Sequence, residues 1–183
     1  MDLAEAEARL LDAAEGLFYE RGVQVAGMDQ VRAASGVSLK RLYQVFPSKS
    51  ELVRACLDRR DRRWRGRLAA YVEGRPRGEE RVLAVYDWLY EWFTEPDFRG
   101  CAFINAYGEL GAVDPAVADA VRAHKSAFRD YLAGLAASAG VSERTVGPLV
   151  LLAEGAMTAA AISGSPEPAR QARCGAQQLL AAS

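Results

Sequence analysis

The sequence predicts an all-α fold of about nine helices. Apolar residues recur at helical spacing in nearly every segment, strand-type alternation is absent, and β-branched residues never cluster. A third observation concerns charge. The net charge is −1, yet Arg32 to Arg67 carries eleven Lys/Arg against three acids, and the part from Pro76 onward carries nine basic against thirteen acidic residues. That split describes a cationic segment joined to an acidic one.

The elements follow in order. Leu10, Ala14, Leu17 and Phe18 form one stripe, which Gly22 ends. A short helix is expected from about Met28 to Ser35, stopped by Gly36. A second starts after Ser38, whose hydroxyl can cap it, and ends before Pro47. Ser48 and Glu51 form an S-x-x-E capping box opening a longer helix, on which Leu57, Trp64, Leu68 and Tyr71 share a face. Gly74-Arg-Pro-Arg-Gly78 reads as a linker. Val82, Val85, Tyr86, Leu89 and Phe93 mark the next helix, broken at Glu95-Pro96-Asp97. Another runs from about Gly100 to Gly111. Asp114-Pro115 opens a long one to about Ser138. Ser142 caps the following helix, in which Pro148 marks a late start or a kink, and a last Ala-rich helix follows the break from Gly164 to Pro168.

Several function classes are excluded. The chain has one histidine, no His/Cys metal spacing, no G-x-S-x-G and no glycine-rich phosphate loop, so neither an enzyme nor a metal site or cofactor is expected. Cys56, Cys101 and Cys174 are odd in number and far apart, which fits a reducing cytoplasm. No signal peptide is recognisable and no apolar run reads as a membrane span, so no membrane partner is expected.

Two short helices meeting at Gly36 form a helix-turn-helix pattern, with Val31, Ala34, Val37, Leu42 and Phe46 as the apolar seam. The second helix then offers Ser38, Leu39, Lys40, Arg41 and Gln44 to DNA. Arg and Lys suit guanine edges and Gln suits adenine, whereas Tyr43, Ser48 and Lys49 are placed for phosphates. On pattern alone an ordinary helical hairpin with a solvated arginine face competes with this reading.

Residues 28–52, MDQVRAASGVSLKRLYQVFPSKSEL, and the preceding AEARLLDAAEGLFYERGV resemble the tetracycline-repressor (TetR) family of regulators. Gly36-Val37-Ser38, Leu42-Tyr43, Phe46-Pro47-Ser48-Lys49 and Glu51-Leu52 stand at the family's spacing. Gly27 stands where the family usually has a capping Thr or Ser, Arg41 where Thr is common, and Val45 where His or an aromatic is common. The resemblance implies a DNA-binding domain over residues 1–47, a connecting helix over 48–73, and a ligand-sensing and dimerisation domain over 74–183. It also implies a homodimer on a pseudo-palindromic double-stranded operator, a repressor role, and release by a small, mainly apolar effector. A constitutive DNA binder without a ligand is the alternative.

Two further residue sets are expectations. Trp88, Trp92, Phe93, Phe103, Tyr107 and Phe128, with Asn105, Glu109, His124 and Glu154 as polar groups, are candidate pocket lining; packed core is the competing reading for each. Leu149, Leu152, Ala153, Ala156, Met157, Ala160, Ala172 and Ala176 are candidates for the dimer contact, against simple intramolecular packing.

Overall fold

The computed structural model describes residues 1–183 and contains nine helices and no strand. They are α1 (Leu3–Arg21), α2 (Met28–Ser35), α3 (Leu39–Val45), α4 (Lys49–Glu73), α5 (Glu79–Phe93), α6 (Ala102–Leu110), α7 (Pro115–Ser138), α8 (Glu143–Ser163) and α9 (Glu167–Ala181).

The local signals act where the sequence puts them. Gly36 adopts φ 67° after α2, a left-handed conformation that a β-carbon would strain. The Ser38 hydroxyl accepts from the Arg41 amide at 3.3 Å, and the Ser48 hydroxyl from the Glu51 amide at 3.2 Å. Asp114 Oδ1 accepts from the amides of Ala116 and Val117 at the start of α7. Gly27 has no side chain to cap α2, and its own amide donates to Gln30 Oε1 at 3.0 Å. Pro148 lies inside α8, which begins at Glu143, so it delays nothing.

The chain forms two compact units: residues 1–62 with 102–123, and residues 63–101 with 124–183. This division departs from the boundaries expected at 47/48 and 73/74. In the first unit α1, α2 and α3 pack on one another, and α6 belongs with them. Its core includes Leu10, Ala14, Val31, Val37, Leu42 and Leu52. Ala34, expected in the helix-turn-helix seam, is exposed. Ser35 is buried in its place, donating to the Arg32 carbonyl and accepting from the Val37 amide.

In the second unit α5, α8 and α9 pack together. The Tyr86 hydroxyl donates to the Leu149 carbonyl at 2.8 Å, and burial pushes its pKa well above the ordinary tyrosine range. α8 is long and apolar enough to cross a membrane by length and composition, although no such run was expected from the sequence. Here its apolar residues divide between the packing with α5 and α9 and an exposed face.

Candidate nucleic-acid interface

α3 is short, and its first turn is held by Ser38. Leu42 is fully buried against the first unit's core, which fixes the rotation of the helix. That rotation leaves Leu39 and Tyr43 each 48% exposed, with Lys40 and Gln44 also in solvent and Arg41 half-buried. Large apolar and aromatic groups exposed beside Lys, Arg and Gln on one short helix form a surface that base edges and thymine methyls complement. All eight residues expected to meet DNA therefore lie on α3, at its cap or at the start of α4.

Lys49 has a second task. Its ammonium donates to the Gln24 carbonyl at 3.2 Å, in the turn before α2. Burial lowers its pKa, and the Glu109 carboxylate nearby opposes that shift in part. Glu109 lies at the end of α6. Its Oε2 accepts from the Gln24 amide at 2.7 Å, and its carbonyl accepts from Gln24 Nε2 at 2.6 Å. Gly22 adopts φ 89°, which strains any residue with a β-carbon, and a β-carbon there would also stand 3.1 Å from that carboxylate and press it aside by a few tenths of an ångström. The Glu109–Gln24–Lys49 chain ties α6 to the reader helices. Sequence reasoning missed it because the partners are 85 residues apart and no local pattern announces them.

An ammonium has three N–H donors, so the bond to Gln24 leaves two for a phosphate. Lys49→Ala is expected to weaken binding to all duplexes alike and to lower the slope of log K against log salt by about 0.9. Arg41→Ala is expected to relax discrimination at one base position by about 1–3 kcal/mol. Competition binding against point-substituted duplexes, repeated across a salt series, reads both effects.

The expected pocket residues separate into two groups. Trp88, Trp92, Phe93, His124 and Phe128 come together in the second unit, each no more than 6% exposed. The ring at their centre is Trp64, from the apolar stripe of α4. Its ring centroid lies 5.0 Å from Trp88, 5.7 Å from Trp92, 5.2 Å from His124 and 5.4 Å from Phe128, all edge-on. Trp88 and Trp92 stack at 5.6 Å, and Phe98 extends the cluster beyond Trp92. Phe103, Asn105 and Tyr107 instead lie on α6 in the first unit, where Asn105 borders a small cavity of about 40 Å³ between α1, α4 and α6. Cys101 is buried, with the Lys125 ammonium 3.4 Å from its sulfur and Glu154 pairing that ammonium at 2.6 Å.

The expected dimer residues also divide. Leu149, Ala153, Ala156, Met157, Ala160, Ala172 and Ala176 are at most 5% exposed within the single chain, facing inward, and Leu152 is half-buried. Those seven form the intramolecular packing of α5, α8 and α9 rather than a free surface. The exposed apolar residues of these helices lie on the other face. Leu151 is 72% and Ile162 83% exposed, and Pro148, Leu152, Gly155, Ala159 and Ile162 repeat at intervals of four and three. Pro148, Leu151 and Leu152 line an open apolar cleft with Gly175, Gln178 and Leu179 of α9.

Residues 10–56 match the family described as bacterial regulatory proteins, tetR family, and residues 78–176 match the tetracyclin repressor-like C-terminal domain. The chain is 36% identical to the TetR-family transcriptional regulator SCO4454 of Streptomyces coelicolor, with TM-score 0.86 over 96% of this chain and 88% of that one. A TetR-type regulator of Streptomyces avermitilis superposes with TM-score 0.80 at 26% identity, over 94% and 98% of the two chains. Among curated proteins, the transcriptional activator FasR of Mycolicibacterium smegmatis is 35% identical over 132 residues, 69% of this chain and 56% of FasR, so the chain spans about half the length of that relative. With one family description covering the reader helices, a second covering more than half of the chain, and the helix-turn-helix geometry between Met28 and Val45, the chain belongs to the TetR family of transcriptional regulators.

Proposed function

We propose that the chain is a cytoplasmic, homodimeric repressor that binds a pseudo-palindromic operator through α3 and is released from it by a small, mainly apolar effector. The observation that carries the DNA reading is the exposed set Leu39, Lys40, Tyr43 and Gln44 beside Arg41, on a helix whose opposite side is locked by buried Leu42. Two such helices in a two-fold dimer read successive major grooves about 34–36 Å apart. The apolar face of α8, with its four-and-three spacing, supports pairing with a second copy. FasR carries the name of an activator, so the promoter assay is read in both directions.

Effector coupling is supported by the Glu109–Gln24–Lys49 chain, which joins α6 to the turn ahead of the helix-turn-helix. A shift of α6 acts there on both the start of α2 and the ammonium aimed at phosphate. A differential affinity of ~1–3 kcal/mol between two states of that contact changes operator occupancy by roughly 5- to 150-fold.

A second reading, a constitutive DNA binder, is favoured by the filled aromatic cluster. With centroids 5.0–5.7 Å from Trp64, its rings occupy the space where an effector was expected. In the ligand-responsive reading, an effector must displace a ring to enter. Selection of bound duplexes from a random library at near-physiological salt, with mass by light scattering, tests the DNA reading. A two-fold consensus bound by dimers is expected, and an absence of enrichment overturns it. A thermal-shift screen with apolar aromatic compounds separates the two readings. A hit that also releases DNA supports the repressor, and uniform failure supports the constitutive binder.

A further inference from the structure

The second unit holds a cleft of about 390 Å³ between the end of α4, the outer face of α5 and the start of α9. Its position follows from sequence. Glu80, Ala84, Asp87 and Glu91 recur along one face of α5 at intervals of four, three and four, and Ala169, Arg170 and Arg173 face them from α9. Alanines at Ala84 and Ala169 leave the floor shallow and apolar where the two helices approach. The walls therefore carry three guanidiniums, Arg75, Arg170 and Arg173, and three carboxylates, Glu80, Asp87 and Glu91.

The charges are not all spent on one another. Arg173 donates to Asp87 at 2.7 Å and closes that pair. Arg75 lies over the Tyr71 ring at 4.6 Å and Arg170 over Tyr90 at 4.3 Å, so aromatic faces hold both guanidiniums in place. Arg170 has only a long, exposed contact of 3.4 Å with Glu167. Glu91 accepts one bond, from the Tyr71 hydroxyl at 3.1 Å, and a carboxylate accepts several.

We propose that this cleft binds a zwitterionic small molecule of the amino-acid type with an apolar or aromatic side chain. Its carboxylate is taken by the fork of Arg170 or Arg75, its ammonium by Glu91 or Glu80, and its side chain by the alanine floor and the tyrosines. A ligand with one sign of charge meets three groups of its own sign here, so the mixed walls select against both simple acids and simple amines. The cleft is separate from the aromatic cluster and from the apolar cleft on the other side of α9, where Gly175, Gln178 and Leu179 point. Pairing through that other side leaves it open.

The test uses the full chain with L-phenylalanine and L-leucine as probes, and with 3-phenylpropionate and phenethylamine as the single-charge counterparts of phenylalanine. Calorimetry and thermal shift are expected to show saturable binding of at least one amino acid, with both counterparts weaker than phenylalanine or leucine by at least about tenfold, the loss of one charge-assisted contact. Arg170→Gln and Glu91→Gln are each expected to cost a similar factor while far-UV circular dichroism and duplex binding stay unchanged. No binding of either amino acid overturns the proposal, as does equal binding of a single-charge counterpart. Undiminished amino-acid binding in both variants overturns it as well.

Discussion

Trp64→Ala is expected to destabilise the protein by about 3–5 kcal/mol, among the larger effects of any single substitution. Trp64 is 7% exposed and meets four rings edge-on, on two other helices: Trp88 and Trp92 on α5, and His124 and Phe128 on α7. Removing the indole forfeits its burial and the favourable edge-to-face contacts, and it opens a cavity that neighbouring rings fill only in part. In a chain of this size the melting temperature should fall by on the order of 10 °C. Urea unfolding followed by circular dichroism measures the loss. A change below about 1 kcal/mol would show that the cluster collapses around the gap, and hence that it is plastic enough to admit an effector. Free indole should restore part of the lost stability, because an apolar cavity accepts an apolar guest.

The second large effect concerns assembly. Leu151→Arg combined with Ile162→Arg should yield a folded monomer whose operator affinity drops toward its non-specific level, a loss of roughly 10³-fold or more. Both side chains are mostly exposed in the single chain, so the change costs the isolated fold little while placing like charges in the proposed seam. Light scattering gives the mass and a duplex titration the affinity. If the double variant remains dimeric, the seam lies elsewhere. Ala156→Arg is the control: it lies on the inward face at 4% exposure and should unfold the second unit rather than merely split a dimer.

The reader helices were legible because their signals are local. Gly36 at positive φ, Ser38 over Arg41 and Ser48 over Glu51 each act within a few residues, and the structure places the caps at those positions. The inward face of α8 was not legible. Ala153, Ala156 and Ala160 on one side and Leu151, Gly155 and Ile162 on the other are all apolar or small, so periodicity cannot say which side meets the same chain. Trp64 was hidden differently, as one indole in an arginine-rich stretch whose role depends on rings from distant segments. The joining of α6 to the reader helices rests on contacts that only the folded chain creates.

That joining limits how this protein can be recombined. A chimera cut after Pro47 or after Glu73, grafting the reader onto another sensor, would leave the Gln24 amide without the Glu109 carboxylate; the first cut also removes Lys49 itself, and the second leaves the Lys49 ammonium without its counter-charge. The transplantable module is discontinuous, residues 1–62 together with 102–123. Lineages that exchange sensors while keeping an operator must therefore carry α6 along with the reader, or evolve a new acceptor for the turn at Gln24.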